Sequence, residues 1–572
     1  MSFRNPKKFF KKNLHQKNWG REIDPDEIFI DATNLPKFDQ SQFEGRLEKP
    51  ISKRTVIGCG ILFCLILIVF SGKISMLQIA QGKTYALKSE QNSLRQTVIF
   101  PERGVIYDRN KILLASNVYV ATSSEFSRRT YAPIAGLAHI LGYVRYPAKD
   151  SSGFYYQDRY EGMDGVEKIY DQEISGEKGL KITDTNALGK VESESVIELP
   201  RDGSNLLLSV DSRIEAKLYE LMKISAISIG FDGGAGVLMD VNTGEIITLV
   251  SFPEYDSNVM SDKTNKEEIK GFVQSAQKPF LNRVTDGLYT PGSIVKPFIA
   301  LAALKEAVID PKKEILSTGS ISIPNPFDPA KKSVFKDWKA HGYVDMRTAL
   351  AVSSDVYFYE IGGGFENQAG LGITAIEKYM RIFGFGETVR ENPLLDKAGS
   401  IPSPKWKEEN FKGDPWRIGD TYHTSIGQYG FQVTPMQAVR ATASLANGGR
   451  LLNPTLLKKG ESEVVIGEVS LPFNDEQITV VKEGMRQAVL SGTSKGLDIP
   501  QVTIAAKTGT AELGTSKKFV NSWIIGFLPY DKPRFAFAAI MEKGPYENTI
   551  GALYVMRQLF EWMAVNTPEY FK

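Results

Sequence analysis

Hydrophobic positions along the chain fall into one long uncharged run and a succession of short periodic ones. Residues 55–72 carry no charge and are rich in Ile, Leu, Val and Phe. The run is at the short end for a membrane span, and a soluble buried helix of this length would need polar interruptions for its solvent face, which this run does not supply. Lys53-Arg54 precede it and place its amino side in the cytoplasm. The segment before it is too long for the start of a signal peptide, and no Ala-x-Ala cleavage site follows. The pattern predicts an uncleaved anchor with the rest of the chain outside the membrane.

Beyond the anchor the periods shorten. Strand-like pieces and glycine turns alternate up to about residue 199, where Asp108-Arg109-Asn110, lying between two apolar runs, predicts a hairpin turn. Arg103 and Glu167 are opposite charges suited to a scaffold ion pair rather than to catalysis. From residue 205 the pattern changes. Residues 206–210 predict a strand, Ser212-Arg-Ile-Glu215 a capping box, and Ile214, Leu218 and Leu221 the buried stripe of a helix. Residues 236–240 and 245–250, joined across Asn242-Thr-Gly244, predict a hairpin. Residues 502–506, 521–527 and 535–540 are short apolar strands, and Leu553, Met556, Phe560 and Met563 share one face of a closing helix. Hairpin, helical insert, strands and a final helix give an α+β fold, an antiparallel sheet covered by helices.

Composition narrows the function. At 572 residues the chain is multidomain. Lys plus Arg (69) nearly balance Asp plus Glu (67), which excludes the large basic footprint of a nucleic-acid binder. Both cysteines, Cys59 and Cys64, lie in the apolar run, and the four histidines lack ligand spacing, so neither a disulfide framework nor a metal site is expected outside the anchor. Residues 1–54 are polar, with a basic opening at Arg4, Lys7, Lys8, Lys11, Lys12 and Lys17, and predict a mostly disordered, solvated tail.

The candidate chemistry centres on Tyr289-Thr-Pro-Gly-Ser-Ile-Val-Lys-Pro-Phe298. A Pro-Gly turn followed by apolar residues at 298–304 predicts the start of a buried helix, with Ser293 and Lys296 on one face and the amine within reach of the hydroxyl. A serine hydroxyl needs a neighbouring base, and a lysine serves only if burial or positive charge lowers its pKa. The spacing alone proves little, because Ser175/Lys178, Ser275/Lys278 and Ser333/Lys336 repeat it. Two further pieces give it context. Ser353-Ser354-Asp355 lies between apolar helical runs, where a polar turn can aim a hydroxyl into a cleft. Lys507-Thr-Gly-Thr510 continues a late strand, so alternation sends Lys507 and Gly509 to one face and Thr508 and Thr510 to the other, with Gly509 admitting a close backbone. Each piece alone has an ordinary reading as a helix cap or a strand end.

In this order the three pieces resemble the Ser-x-x-Lys, Ser-Asp-Asn and Lys-Thr-Gly trio of penicillin-binding proteins and class A β-lactamases. From the anchor onward the chain resembles a class B penicillin-binding protein. Further matching stretches are Arg103-Gly, Gly165-Val-Glu167, Thr243-Gly-Glu245, Asn282-Arg283, Thr434-Pro435 with Gln437, and Asn521-Ser-Trp523. Asp355 at the third position of its motif and Lys336-Asp-Trp-Lys339 resemble the elongation branch, penicillin-binding protein 2, with the division branch as the alternative.

The resemblance implies a membrane-anchored peptidoglycan D,D-transpeptidase with a cytoplasmic tail (1–54), an anchor (55–72), an elongated pedestal (73–204) and a transpeptidase domain (205–572). Ser293 would attack the penultimate D-Ala carbonyl of a stem peptide. Lys296 would take its proton, and Ser353 with Lys507 would relay one to the leaving amine. Backbone N–H groups of Ser293 and Thr510 would form the oxyanion hole, and Thr508 and Thr510 would hold the terminal carboxylate of the substrate or of a β-lactam. No cofactor is implied. The implied partners are peptidoglycan stem peptides, β-lactams, the membrane and a SEDS-type glycan polymerase.

Three departures accompany the resemblance. No cysteine stands near Asp-Trp-Lys and His341 is displaced, so the zinc of some elongation enzymes is not expected. Gly427-Gln-Tyr-Gly430 replaces the expected Gly-Gln-Gly. The stretch between Asn117 and Gly142 is too short for the head subdomain that relatives insert there. A β-lactamase or carboxypeptidase would share the trio without needing the long pedestal, and a β-lactam sensor would carry more membrane segments. An inactive scaffold would have no reason to keep Ser293, Lys296, Ser353 and Lys507.

Overall fold

The computed structural model describes residues 52–85, 94–119, 125–151, 155–185, 191–325, 327–328, 330–389, 392–460, 467–514, 518–547 and 550–571. Of the predicted polar tail, only Ser52 to Arg54 lie within them. The chain divides into two units, Met1–Asn92 and Ser93–Lys572.

In the first unit, helix α1 (Lys53–Ser75) is capped by Ser52, whose hydroxyl accepts from Thr55 N. It continues as a wider turn over Met76–Ala80, giving an apolar helix of 28 residues, long enough to cross a membrane. The helix therefore overruns the predicted 55–72 at both ends. Lys73 breaks the apolar run but suits the last turn of α1, where the carbonyl ends of the helix favour a cation.

The second unit opens with β1 (Leu94–Ile99), β2 (Ile106–Tyr107), β3 (Leu113–Val118), β4 (Arg128–Tyr131), β5 (Gly179–Thr185), β6 (Val191–Glu198) and β7 (Leu206–Leu207). They form a three-stranded sheet, β1-β5-β6, and a four-stranded one, β7-β2-β3-β4. The turn predicted at Asp108 is present, and Asp108 Oδ1 accepts from Asn110 N and Ile112 N. Val118 pairs with Arg128, so residues 119–127 alone join β3 to β4. Arg103 and Glu167 form the predicted pair at 2.5 Å, and Arg129 binds the other carboxylate oxygen at 2.7 Å. All three side chains are buried.

Two local expectations change here. The strand predicted at 206–210 stops at Leu207, because the chain then leaves β2 and Leu208 bridges to Leu457 instead. The predicted capping box at Ser212 is not formed. Asp211 caps α2 (Ser212–Ile229) by accepting from Arg213 N, while Glu215 turns inward to Thr248 Oγ1 and Leu249 N. Ile214, Leu218 and Leu221 are buried as predicted.

The central sheet contains β8 (Gly233–Asp240) and β9 (Ile246–Phe252), the predicted hairpin. A long insert follows that includes α3 (Lys296–Lys305), an irregular ribbon of β10 (Ile315–Ser317), β11 (Ser320–Pro324), β12 (Lys332–Lys336) and β13 (Gly342–Val344), then α4 (Met346–Val352), α5 (Asp355–Gly363), α6 (Pro404–Asn410), α7 (Ile418–Ser425), α8 (Pro435–Ala446) and α9 (Asp475–Ser491). The chain returns to the sheet as β14 (Ala505–Leu513), β15 (Phe519–Leu528) and β16 (Phe535–Pro545), and closes with α10 (Ala552–Asn566). The order is β9-β8-β16-β15-β14, antiparallel throughout.

Strand alternation divides the core in two. Val237, Met239, Ile525 and Ala538 pack with Phe298 of α3 and Val439 of α8, whereas Leu238, Ile524 and Phe537 pack with Leu218 of α2 and Met556 and Phe560 of α10. The strand predicted at 502–506 begins only at Ala505 and runs to Leu513, because pairing with β15 continues to Leu513↔Phe519. Lys507-Thr-Gly-Thr510 thus continues the strand, as expected. Met556, Phe560 and Met563 are buried as expected, while Leu553 is only half-buried, against Gly496.

Candidate active site

Ser293 sits on a single 3-10 turn, Gly292–Val295, that leads directly into α3. The turn is braced from three sides. Gly292 N donates to Gly427 O at 2.9 Å, Trp523 Nε1 donates to Thr290 O at 3.0 Å, and Tyr289 exchanges backbone hydrogen bonds with Val433. Gly292 has φ +57°, and a Cβ there would lie 2.8 Å from Thr510 O. A Cβ on Gly427 would meet Gly292 O at 2.2 Å. Glycine is required at both places because backbone presses on backbone.

The Ser293 side chain is half-buried, and the Lys296 ammonium does not bond to it. Lys296 is fully buried, and its Nζ donates to Ser353 O (2.9 Å), Ser353 Oγ (3.3 Å) and Asp355 Oδ1 (2.5 Å). Its hydrogen bonds thus go to Ser353 and Asp355 rather than to the serine hydroxyl one helical turn before it. Lys507, equally buried, donates to Ser353 Oγ at 2.8 Å and to the carbonyl of Thr508 at 2.8 Å. Burial, and after it the positive charge of Lys296, push the Lys507 ammonium well below its ordinary range, with Asp355 opposing. The amine whose neutral form the fold favours is therefore that of Lys507.

Ser353 reaches both lysines because it ends α4 in the left-handed region, at φ +60°. Ser354 then caps α5, accepting from Tyr357 N. This turn is gripped from outside by Asp337, whose Oδ2 accepts from Ser354 Oγ (2.9 Å), Val356 N (3.0 Å) and Ser317 Oγ (3.2 Å). With Trp338 N donating to Oδ1 at 2.8 Å as well, this buried carboxylate is well satisfied and holds its donors in place.

On β14, alternation is as predicted: Lys507 and Gly509 face inward, Thr508 is half-buried and Thr510 exposed. The close approach at Gly509 is to the protein's own serine turn, since a Cβ would lie 2.8 Å from Ile294 Cγ2 and 2.9 Å from Pro291 O. Thr508 Oγ1 donates to Thr493 Oγ1 at 2.8 Å.

The structure thus gathers Lys296, Ser353, Asp355 and Lys507 into one hydrogen-bonded cluster and sets Ser293 and the Thr508–Thr510 segment beside each other through Gly292 and Gly509. The repeats of the spacing separate on context. Ser175 binds Arg103 while Lys178 pairs with Asp158, and Ser333 and Lys336 lie on opposite faces of β12. Sequence reasoning missed the grip of Asp337, although Asp-Trp-Lys had marked the stretch, and it missed Thr493, which carries no motif. Around Gly427-Gln-Tyr-Gly430, Tyr429 (φ +65°) stacks on Phe411 and meets Trp406 and Trp416 edge-on. Among the described residues, no group of three or more His, Cys, Asp or Glu is placed to hold a metal ion.

Comparison with known proteins adds to this geometry. The penicillin binding protein transpeptidase domain family matches residues 234–561, and the penicillin-binding protein dimerisation domain family matches residues 120–208. The peptidoglycan D,D-transpeptidase MrdA of Acinetobacter baumannii is 28% identical over 88% of this chain and 87% of its own length. That of Haemophilus influenzae is 30% identical over 73% of this chain and 66% of its own length. Pseudomonas aeruginosa PBP2, crystallised with WCK 5153, superposes with a TM-score of 0.67 at 28% identity, over 83% of this chain and 98% of that one. Helicobacter pylori PBP2, in complex with MreC, superposes with a TM-score of 0.66 at 26% identity, over 82% of this chain and all of that one.

Proposed function

This chain belongs to the penicillin-binding protein transpeptidases, in the elongation branch of its MrdA relatives, and from that premise we propose that Ser293, Lys296, Ser353, Asp355 and Lys507 carry out peptidoglycan crosslinking. The observation that carries the assignment is Ser353 Oγ held between two buried lysines, Lys507 at 2.8 Å and Lys296 at 3.3 Å.

In the first half-reaction Ser293 Oγ bonds to the penultimate D-Ala carbonyl carbon, and the bond to the terminal D-Ala nitrogen breaks. Lys296 first hands a proton through Ser353 Oγ to the neutral Lys507 amine and then takes the Ser293 proton, and Lys507 returns one through Ser353 to the departing amine, so the three groups end the step with the protons they began with. In the second, the amine of another stem peptide attacks the ester carbon, its proton returns along the same route to Ser293 Oγ, and the crosslink forms. The ester conserves the energy of the amide it replaces, so the step needs no cofactor. Backbone N–H groups of Ser293 and Thr510 stabilise the oxyanion, each worth about 2.7–4 kcal/mol. The nearness of Gly292 to Thr510 O supports that pairing. Thr508, Gly509 and Thr510 line the substrate strand, where the terminal carboxylate, or that of a β-lactam, is held.

We assign residues 1–54 to a cytoplasmic tail, 55–72 to the core of the inner-membrane anchor, 73–204 to the pedestal with a shortened head, and 205–572 to the extracytoplasmic transpeptidase domain. A SEDS-type glycan polymerase is the proposed membrane partner, on the family resemblance. The test is covalent labelling by a fluorescent penicillin, followed over hours, with Ser293→Ala alongside. Stable labelling lost in the variant supports a serine transpeptidase. Rapid loss of label from the wild type makes it a hydrolase, and no label on either protein makes it a scaffold.

A further inference from the structure

The ribbon β10–β13 ends on the Ser353 turn through Asp337, and its outward surface has a chemistry that the acylation step does not use. Along β12, Lys332, Val334 and Lys336 are exposed, whereas Ser333 and Phe335 point inward, with the Phe335 ring against Tyr359, Tyr422 and His423. The inner face is therefore fixed and the outer face is a short basic strip. Trp338, 57% exposed, follows with Lys339 over its ring at 4.5 Å, and Leu316 opposite Tyr343 forms an exposed cross-strand pair on β10 and β13.

Lys332, Lys336 and Lys339 form no ion pair with the described residues; of the neighbouring carboxylates, Asp328 pairs with Lys331 and Asp337 is turned inward to Ser354. Charge on the edge of a two-stranded sheet can serve only to prevent edge pairing. That role accounts for the lysines but not for exposed Trp338, which follows them in sequence, nor for the exposed pair Leu316 and Tyr343 on the other two-stranded sheet of the ribbon. Uncompensated cations alternating with large apolar groups fit an extended chain bearing carboxylates and apolar side chains.

We propose that the outer face of the β12 strip, with Trp338 and Lys339, is the docking surface for the acyl acceptor, an acidic peptide whose carboxylates meet Lys332 and Lys336 while its amine is presented to the acyl-enzyme. The proposal rests on the transpeptidase reading above and locates its second substrate. The strip lies at the end of the rigid connection Lys336-Asp337-Ser354, so an acceptor held there is registered against the Ser353 turn. Lys336 O, which accepts from Tyr359 OH at 3.1 Å, fixes the strip from below.

The test uses the full chain in detergent carrying Lys332→Glu and Lys336→Glu together, both exposed positions. Two reactions are followed: labelling by fluorescent penicillin, which needs no acceptor, and crosslinking of a D-Ala-D-Ala donor peptide to a synthetic acceptor peptide with free carboxylates, or to the same peptide with its carboxylates amidated. Penicillin labelling is expected to match the wild type. The KM for the acidic acceptor is expected to rise about tenfold, the scale of two exposed ion pairs turned into repulsions, and to fall with added salt where that of the wild type rises. The amidated acceptor should be used equally by both proteins. An unchanged KM for the acidic acceptor, or equal use of both acceptors by the wild type, overturns the proposal. Charge-dependent binding of the wild type to anionic phospholipid vesicles, with an unchanged acceptor KM, reassigns the strip to a lipid surface and also overturns it. Failure of the wild type to take penicillin label at Ser293 would instead defeat the transpeptidase reading.

Discussion

Lys507 Nζ donates to Ser353 Oγ at 2.8 Å, and both residues are closed to solvent. Burial and the charge of Lys296 favour the neutral Lys507 amine, whereas Asp355 favours the ammonium. Removing that opposing charge in Asp355→Asn should therefore move the Lys507 limb of the acylation–pH profile to lower pH. The folded protein binds fewer protons at Lys507 than the unfolded chain does between the depressed pKa and the ordinary 10.5, so stability rises with pH across that window. Lys507→Met should flatten this rise in Tm against pH and slow penicillin acylation by about 10²–10⁴-fold. An unchanged slope would show that Lys507 is not the group that titrates.

Asp337 acts at one remove from the chemistry. Its carboxylate oxygen serves Ser354 Oγ, Val356 N and Ser317 Oγ, so Asp337→Ala leaves three donors short of a partner in a buried turn. A stability loss of about 2–4 kcal/mol is expected, with acylation slowed because Ser353 no longer keeps its left-handed conformation. Partial rescue of acylation by Asp337→Asn, which restores an acceptor, would separate positioning from simple unfolding. Equal defects in both variants would argue against positioning.

Tyr429 combines a left-handed backbone with a three-ring contact to Trp406, Phe411 and Trp416. Loss of the rings in Tyr429→Ala should cost about 1–3 kcal/mol. Tyr429→Gly loses the same rings but relieves about 1 kcal/mol of backbone strain. The glycine variant should therefore melt above the alanine one, the reverse of the usual order in regular structure. Both should acylate more slowly, because the neighbouring Gly427 carbonyl braces Gly292. Melting curves and labelling rates of the two variants decide the matter.

Glu167 is buried between Arg103 and Arg129. Glu167→Gln leaves two buried guanidinium groups without their shared anion and should destabilise the protein by about 3–5 kcal/mol. Proteolysis should first cut near the strands that Arg103 and Arg129 join, while Ser293 still takes penicillin in the cold. Loss of labelling at low temperature, before any cleavage, would mean that this pair supports the site directly.

Features written in consecutive residues were legible in the sequence. The apolar run, the Asp108 turn, the β8–β9 hairpin and the Ser353 turn between two helices each depend on local spacing and on residues with strong conformational preferences. Where a side chain had a choice of partners, local reading failed. Glu215 suits a capping box by position, yet it is drawn inward to Thr248 because α2 packs on β9. The strand at 206–210 ends early because its continuation finds a different neighbour.

The motif residues show the same division. Sequence order alone named Ser293, Lys296, Ser353, Asp355 and Lys507, since each stands in a short pattern at a turn or strand that such patterns favour. Tertiary structure alone decided that Lys296 turns to Asp355 and Ser353 rather than to Ser293, and that Lys507 is the lysine whose charge is disfavoured. It also decided that Gly509 is small to admit the serine turn, and that Asp337 grips Ser354 from outside. Spacing along a chain fixes which groups can share a face, but burial and hydrogen-bond competition among distant segments fix which partner each finally takes.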